Sequence, residues 1–260
     1  MLKAILFDLD DTLLWDEKSI KAAMEVTCEM VHEKYGILPE VVEEKVRENA
    51  RAIYATYDTY TFTQMIGINP FEGLWGNFAD KGADFQRLHD LVPGYRKEVW
   101  RKSLQDLGIE DIGFGDELAE TFPKARKSHQ YIYEDTFKVL DQLKGKYQLL
   151  MLTNGSPELQ RTKLAITPEL VPYFQHIVIS GDYGKGKPDQ GIFKHALELL
   201  SVSKDEALMV GDNLMTDILG ASRTGIKSVW INRHQRKHGE VAPTYEVSNL
   251  EALLPIIEKL

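Results

Sequence analysis

The 260-residue chain contains a single cysteine, Cys28, so no intrachain disulfide can form. A cytoplasmic, reducing location is therefore expected. Cys28 lies in the helical pattern AAMEVTCEMV and reads as a buried, inert thiol. No run of about 18 apolar residues occurs, so no membrane partner is expected. Nor is a signal peptide expected, because aspartates interrupt the first apolar run by position 8. Positive charge is in the minority, with 31 Lys and Arg against 40 Asp and Glu, a formal net charge of −9. That balance argues against a nucleic-acid partner, since phosphate backbones are held mainly by clustered Lys and Arg. The one basic stretch, Arg233-His234-Gln235-Arg236-Lys237-His238, reads as a solvated loop face. Internal repeats and low-complexity segments are also lacking, which leaves an ordinary globular composition.

What is present is a series of short apolar runs that end in polar residues: KAILFDLD (3–10), YQLLMLTNG (147–155), HIVISGD (176–182), ALMVGDN (207–213) and KSVWINR (227–233). Helical patterns separate the later runs, and strand–helix alternation at this interval implies a parallel sheet with helices on both faces. Between the first and second runs the sequence is helical throughout. One helix ends at Gly36, another begins at Pro39, and two more follow at 94–108 and 115–129. Residues 15–132 are thus expected to form an all-helical insertion, with 1–14 and 133–260 as the core. A short strand and an amphipathic helix carrying Leu250, Leu253, Leu254 and Ile257 should close that core.

In an open parallel sheet, reactive groups gather beyond the C-terminal ends of the strands. The first strand delivers Asp8 and Asp10, which alternation should place on the same side, where they repel. The second delivers Thr153, Asn154 and Gly155, the third leads to Lys187, and the fourth gives Gly211, Asp212, Asn213 and Asp217. Any one of these could be a turn, a helix cap or a surface residue. Their conjunction marks a candidate site.

In this order the residues resemble the haloacid dehalogenase (HAD) superfamily. The first motif of that family is matched by Leu6-Phe7-Asp8-Leu9-Asp10-Asp11-Thr12, the second by Thr153, the third by Lys187-Pro188, and the fourth by Gly211-Asp212 with Asp217. The resemblance implies an α/β fold, a Rossmann-like doubly wound parallel sheet core with an inserted all-helical cap domain of the C1 type. It also implies a phosphomonoester hydrolase acting on a small phosphorylated metabolite. Asp8 would be the nucleophile, forming an aspartyl-phosphate. Asp10 would be general acid and then general base. Thr153, Asn154, Gly155 and Lys187 would hold the phosphoryl group. An all-oxygen site suits Mg²⁺, with the metal set Asp8, Asp10, Asp212 and Asp217: the resemblance implies the Asp8 and Asp212 carboxylates and the Asp10 backbone carbonyl as ligands, and Asp217 either orients Lys187 or a metal-bound water or ligates the ion directly.

The proline after Lys187 selects it over Lys185 and places it just before a helix. Asp11 stands where the family often has Gly and reads as a turn residue. The presence of Asp10 points to phosphate-ester chemistry over dehalogenation; a phosphomutase, or a HAD fold kept as a binding module without turnover, is the alternative. In the insertion Phe71, Trp75 and Asn77 are candidate substrate contacts. Trp15 is a further candidate, with hinge-side packing as its other reading.

Overall fold

The computed structural model describes residues 1–237 and 239–260. His238, the last residue of the basic stretch, lies outside the described residues. The chain divides into two compact units: Met1–Trp15, Tyr131–Gly155 and Lys163–Leu260 form one, and Asp16–Gln130 with Ser156–Thr162 form the other.

The first unit is built on six parallel strands: β1 (Ala4–Phe7), β2 (Gln148–Thr153), β3 (His176–Ile179), β4 (Ala207–Gly211), β5 (Lys227–Ile231) and β6 (Tyr245–Val247). Their order is β3-β2-β1-β4-β5-β6, the doubly wound arrangement in which direction reverses between β1 and β4. Ala4 pairs with both Gln148 and Ala207, and Phe7 with both Met151 and Val210, so β1 is the centre of the sheet. Side chains alternate between two cores. Ile5 and Phe7 pack with Leu149, Met151, Leu208 and Val210 on one face, whereas Ala4 and Leu6 pack with Leu150, Leu152, Met209 and the helix Gln190–Leu200 on the other. Burial on both faces explains why the central strands read as unbroken apolar runs.

At the C-terminal end, Leu250, Leu253 and Ile257 are buried, while Leu254 is only partly so. One long amphipathic helix does not form there. A 3₁₀ turn, Glu251–Leu253, leads into a single α-turn, Leu254–Ile257, that contains Pro255. Pro188 likewise lies outside the helix it precedes. Asp189 is the N-cap, its Oδ1 accepting the Gly191 N–H at 2.8 Å, and the helix starts at Gln190.

The second unit is all-helical. Its principal helices are Asp16–Tyr35, Pro39–Tyr54, Ala83–Asp106 and Ile112–Ser128. The first ends at Gly36, whose φ of +73° and N–H bond to His32 O form a left-handed cap. The third begins well before the expected residue 94 and carries Pro93 in its interior. Phe85, Leu88 and Val92 before the proline are buried in the same core as Tyr95, Val99 and Trp100 after it. This continuous apolar face outweighs the one backbone donor that proline removes. Ser156–Thr162 belong to this unit because Leu159 enters its core and Asp80 accepts bonds from Ser156 Oγ and the Glu158 N–H.

A buried ion pair lies inside the helical unit. Arg126 is fully buried, ion-paired with Asp16, bonded to Gln130 Oε1 at 2.7 Å and lying 4.7 Å over the ring of Trp75. Removing Asp16 strands a buried guanidinium. Asp16→Ala should therefore lower stability by about 3–5 kcal/mol in urea unfolding followed by circular dichroism.

Candidate active site

The candidate site is assembled at the ends of three adjacent strands. Asp8 is the first residue beyond β1, and its N–H still donates to Val210 O of β4 at 2.9 Å. Its side chain meets Lys187, which is 5% exposed despite being a lysine. The Lys187 ammonium donates to Asp8 Oδ1 at 2.6 Å, Asp217 Oδ1 at 2.7 Å and the carbonyl of Leu152 on β2 at 2.7 Å. These three acceptors use all three of its N–H bonds. Burial opposes the charge, but the carboxylates of Asp217 and Asp8 outweigh it and raise the lysine's pKa above its ordinary value. Lys185, by contrast, is exposed.

Asp217 sits on a single π-helical turn, Leu214–Ile218. It is fully buried, with its second oxygen accepting the Asn213 N–H at 3.1 Å. Its approach to β4 requires glycine at position 211, where a Cβ would lie 2.3 Å from the Asp217 carboxylate. Asp212 completes the group: one ligand atom from each of Asp8, Asp212 and Asp217 lies within 4.8 Å of the others. Three carboxylates this close, two of them buried, form an all-oxygen donor set of the kind that suits a hard divalent cation. Burial pushes the Asp8 carboxyl up to about 7, with Asp217 adding to the rise and Lys187 opposing it. Burial likewise pushes Asp212 up to about 8, reinforced by Asp8, Asp217 and Asp11 and opposed by Arg236. Their charges are thus poorly compensated by protein groups, as expected of residues that meet a cation.

Asp10 is held elsewhere. Its Oδ2 accepts from Lys163 Nζ at 2.8 Å, and that lysine side chain is 1% exposed. Asp8 and Asp10, expected to repel across a short gap, are thus held by two different buried lysines. Asp11 between them and Thr12 adopts φ +57°, a left-handed conformation that Asp tolerates better than most residues and that matches its reading as a turn.

Thr153 is buried, and its hydroxyl donates a long 3.4 Å bond to Asn154 O. Asn154 clasps the third-motif loop, its Oδ1 accepting the Lys187 N–H at 2.8 Å and its Nδ2 donating to Lys187 O at 2.9 Å. Glycine leaves room opposite it, since a Cβ at Gly186 would lie 2.9 Å from the amide and force it to shift. The Gly155 N–H donates to Ser180 Oγ at 2.8 Å. The Asn154 side chain and the Gly155 N–H thus fix the loops that carry Thr153 and Lys187.

Lys163, Ser180 and Arg236 were not singled out from sequence. Neither Lys163 nor Ser180 is assigned a role from the sequence, and the stretch that contains Arg236 reads as a solvated loop face. Arg236 is indeed 55% exposed, yet it reaches Asp212 Oδ2 at 3.4 Å. Arg233 from the same stretch is paired with Asp135 and stacked 3.7 Å over Tyr133. In the helical unit Trp75 is buried beneath Arg126, Phe71 lies under Arg47 and Arg51, and Asn77 accepts from His89 and Arg96. Trp15 stacks on Tyr133 at 5.0 Å. Cys28 is buried, and burial pushes its thiol up to about 12, which makes it inert.

The raised carboxyls imply a definite pH dependence. Without a metal, the folded state binds protons at Asp8 and Asp212 more tightly than the unfolded chain, whose carboxyls titrate near pH 4. Their stabilising contribution is therefore complete below that pH and is lost as pH rises through about 7 to 8. In urea unfolding of chelator-treated protein, the wild type should lose stability relative to Asp212→Asn between pH 5 and 9. Divalent-cation affinity, measured by calorimetry, should rise over the same interval, because the ligands must be deprotonated.

Residues 2–225 match the haloacid dehalogenase-like hydrolase family. Over 250 residues the chain is 33% identical to a phosphoserine phosphatase of Thermus thermophilus, covering 96% of each chain. It is 29% identical to a glyceraldehyde 3-phosphate phosphatase of Pyrococcus abyssi, covering 99% of this chain and 94% of the relative. Among solved structures, the HAD-hydrolase YfnB of Bacillus subtilis, crystallised with magnesium, superposes with a TM-score of 0.68 at 22% identity over 98% of both chains, a likeness of fold. A match that spans most of the chain, a doubly wound sheet and phosphatase relatives of nearly full length make this protein an enzyme of the haloacid dehalogenase-like hydrolase family, on its phosphatase branch.

Proposed function

We propose that this phosphatase is a Mg²⁺-dependent phosphomonoesterase for a small phosphorylated metabolite, acting through an aspartyl-phosphate on Asp8. The observation that carries the reading is the pair of carboxylates two residues apart in different surroundings. Asp8 is buried against Lys187 within the acidic cluster, and Asp10 is partly exposed against Lys163. Carboxylates whose environments differ can divide nucleophilic and acid–base work between them.

In this reading an Asp8 oxygen attacks phosphorus while the ester P–O bond breaks, and protonated Asp10 gives its proton to the leaving oxygen. Asp10, now ionised, takes a proton from water as that water attacks the same phosphorus. Inorganic phosphate leaves, and both aspartates return to their starting states. The Thr153 hydroxyl and the loop backbone at Asn154 orient the phosphoryl oxygens. Lys187 contributes positive charge while keeping Asp8 and Asp217 in place. The Asp8 and Asp212 carboxylates, with the Asp10 carbonyl, would hold Mg²⁺, and Asp217 fixes Lys187 beside them. The bound ion supplies charge neutralisation at the phosphoryl group.

The choice of a small metabolite is supported by the two phosphatase relatives, whose names specify phosphoserine and glyceraldehyde 3-phosphate. We assign leaving-group selection to the helical insertion, read as the C1-type cap. No helix among the described residues is long and apolar enough to cross a membrane, which fits a metabolite substrate. The single buried cysteine supports a cytoplasmic setting.

Phosphate release from an aryl phosphate tests the reading. Wild-type protein should turn over with Mg²⁺ and stop when the ion is chelated. Asp8→Asn should fall to background, and Asp10→Asn should lose about 10²–10⁴-fold in kcat. Undiminished release from Asp8→Asn would overturn the nucleophile assignment.

A further inference from the structure

We propose that Lys163 is a positioning residue for the acid–base step, holding the Asp10 carboxylate in the orientation from which it exchanges its proton. The inference rests on the reading of Asp10 as the general acid and base. Its structural basis is independent of that reading. Lys163 projects from the helix Pro157–Ile166, and its ammonium, carried by a side chain only 1% exposed, lies 2.8 Å from Asp10 Oδ2. Taking an ammonium out of water costs several kcal/mol unless it is paired. The helix anchors Lys163 at its base, where its carbonyl accepts both the N–H and the hydroxyl of Thr167, at 3.1 and 2.9 Å.

The bond from Lys163 bears on how the Asp10 carboxylate is oriented. Asp10 lies beyond the end of β1, next to the left-handed Asp11, and its side chain is 25% exposed. A carboxylate there has two side-chain torsions that the sheet does not fix. A bond from a buried ammonium removes that freedom for one oxygen. Because Lys187 commits its three N–H bonds to Asp8, Asp217 and Leu152, it has none left for Asp10. Each of the two aspartates therefore has its own lysine, from a different helix or loop. A displacement of about 1 Å in a reacting group can cost about 10²-fold in rate, so the second lysine is expected to act on turnover.

The test is a double-mutant cycle on the intact enzyme, with steady-state kinetics on an aryl phosphate and urea unfolding of every variant. Lys163→Met should lower kcat by about 10–100-fold, the range seen when an outer-shell partner is lost, while KM changes by less than about twofold. Lys163→Arg should recover much of that loss. If Lys163 acts through Asp10, adding Lys163→Met to Asp10→Asn should slow the enzyme no further. An additive loss in the double variant, or a change in KM alone, would overturn the proposal. So would wild-type kcat in Lys163→Met while Asp10→Asn is slow. If Lys163→Met does not fold, Lys163→Gln takes its place in the cycle, judged by the same two criteria. Wild-type kcat in Asp10→Asn would instead overturn the acid–base reading on which the inference stands.

Discussion

Lys187 carries its charge where burial favours losing it, and it stays protonated because three oxygens surround the ammonium. Asp8 lies beyond β1, Leu152 is on β2, and Asp217 follows β4. One cation thus ties together the ends of three adjacent strands at the reversal point of the sheet, where side chains from both halves converge. The surrounding details serve that contact. Asn154 clasps the Lys187 backbone from both sides, Gly186 leaves room for the clasp, and Gly211 lets Asp217 approach.

The electrostatic consequence is an asymmetric site. Even with Lys187 in contact, Asp8 titrates well above an ordinary carboxyl, because burial and Asp217 outweigh the one lysine. Asp212 is raised further, opposed only weakly by Arg236 at 3.4 Å. The cluster is thus short of positive charge on the side of Asp212, and its three carboxylates form a donor set of the kind that suits a divalent cation. Asp10, whose charge adds the smallest share to the rise at Asp8, has a buried lysine of its own. Repulsion between the two aspartates is thereby relieved by protein groups as well as by any cation.

The helical unit has a different organising principle. Its core is apolar and aromatic, from Tyr54 and Tyr95 to Trp100 and Phe122, with the Arg126–Asp16 pair embedded in it. Trp75, read from the sequence as one candidate substrate contact among several, is used in that packing. An apolar stripe on a helix shows that something covers it and leaves open whether that is another helix or a small molecule.

The sequence by itself determined the parallel sheet, since five of its six strands announce themselves as short apolar runs ending in polar residues. It also determined which residues lie at the strand ends, because chain order and strand direction put Asp8, Thr153 and Asp212 at one edge. The match between Asp11 and a left-handed turn was legible for the same local reason. Tertiary structure decided what depends on partners distant in sequence. Lys163 is 153 positions from Asp10, and nothing in its helix distinguishes a buried lysine from a surface one. A Thr-Asn-Gly turn is the same in isolation wherever it occurs, and only the fold brings Lys187 to the Asn154 side chain and Ser180 to the Gly155 N–H. Pro93 marks a helix boundary by local rules, yet the helix runs through it because a continuous buried face outweighs one lost bond. Local sequence sets backbone preference and strand ends, whereas the partner of a charge or an amide is settled only when distant segments pack.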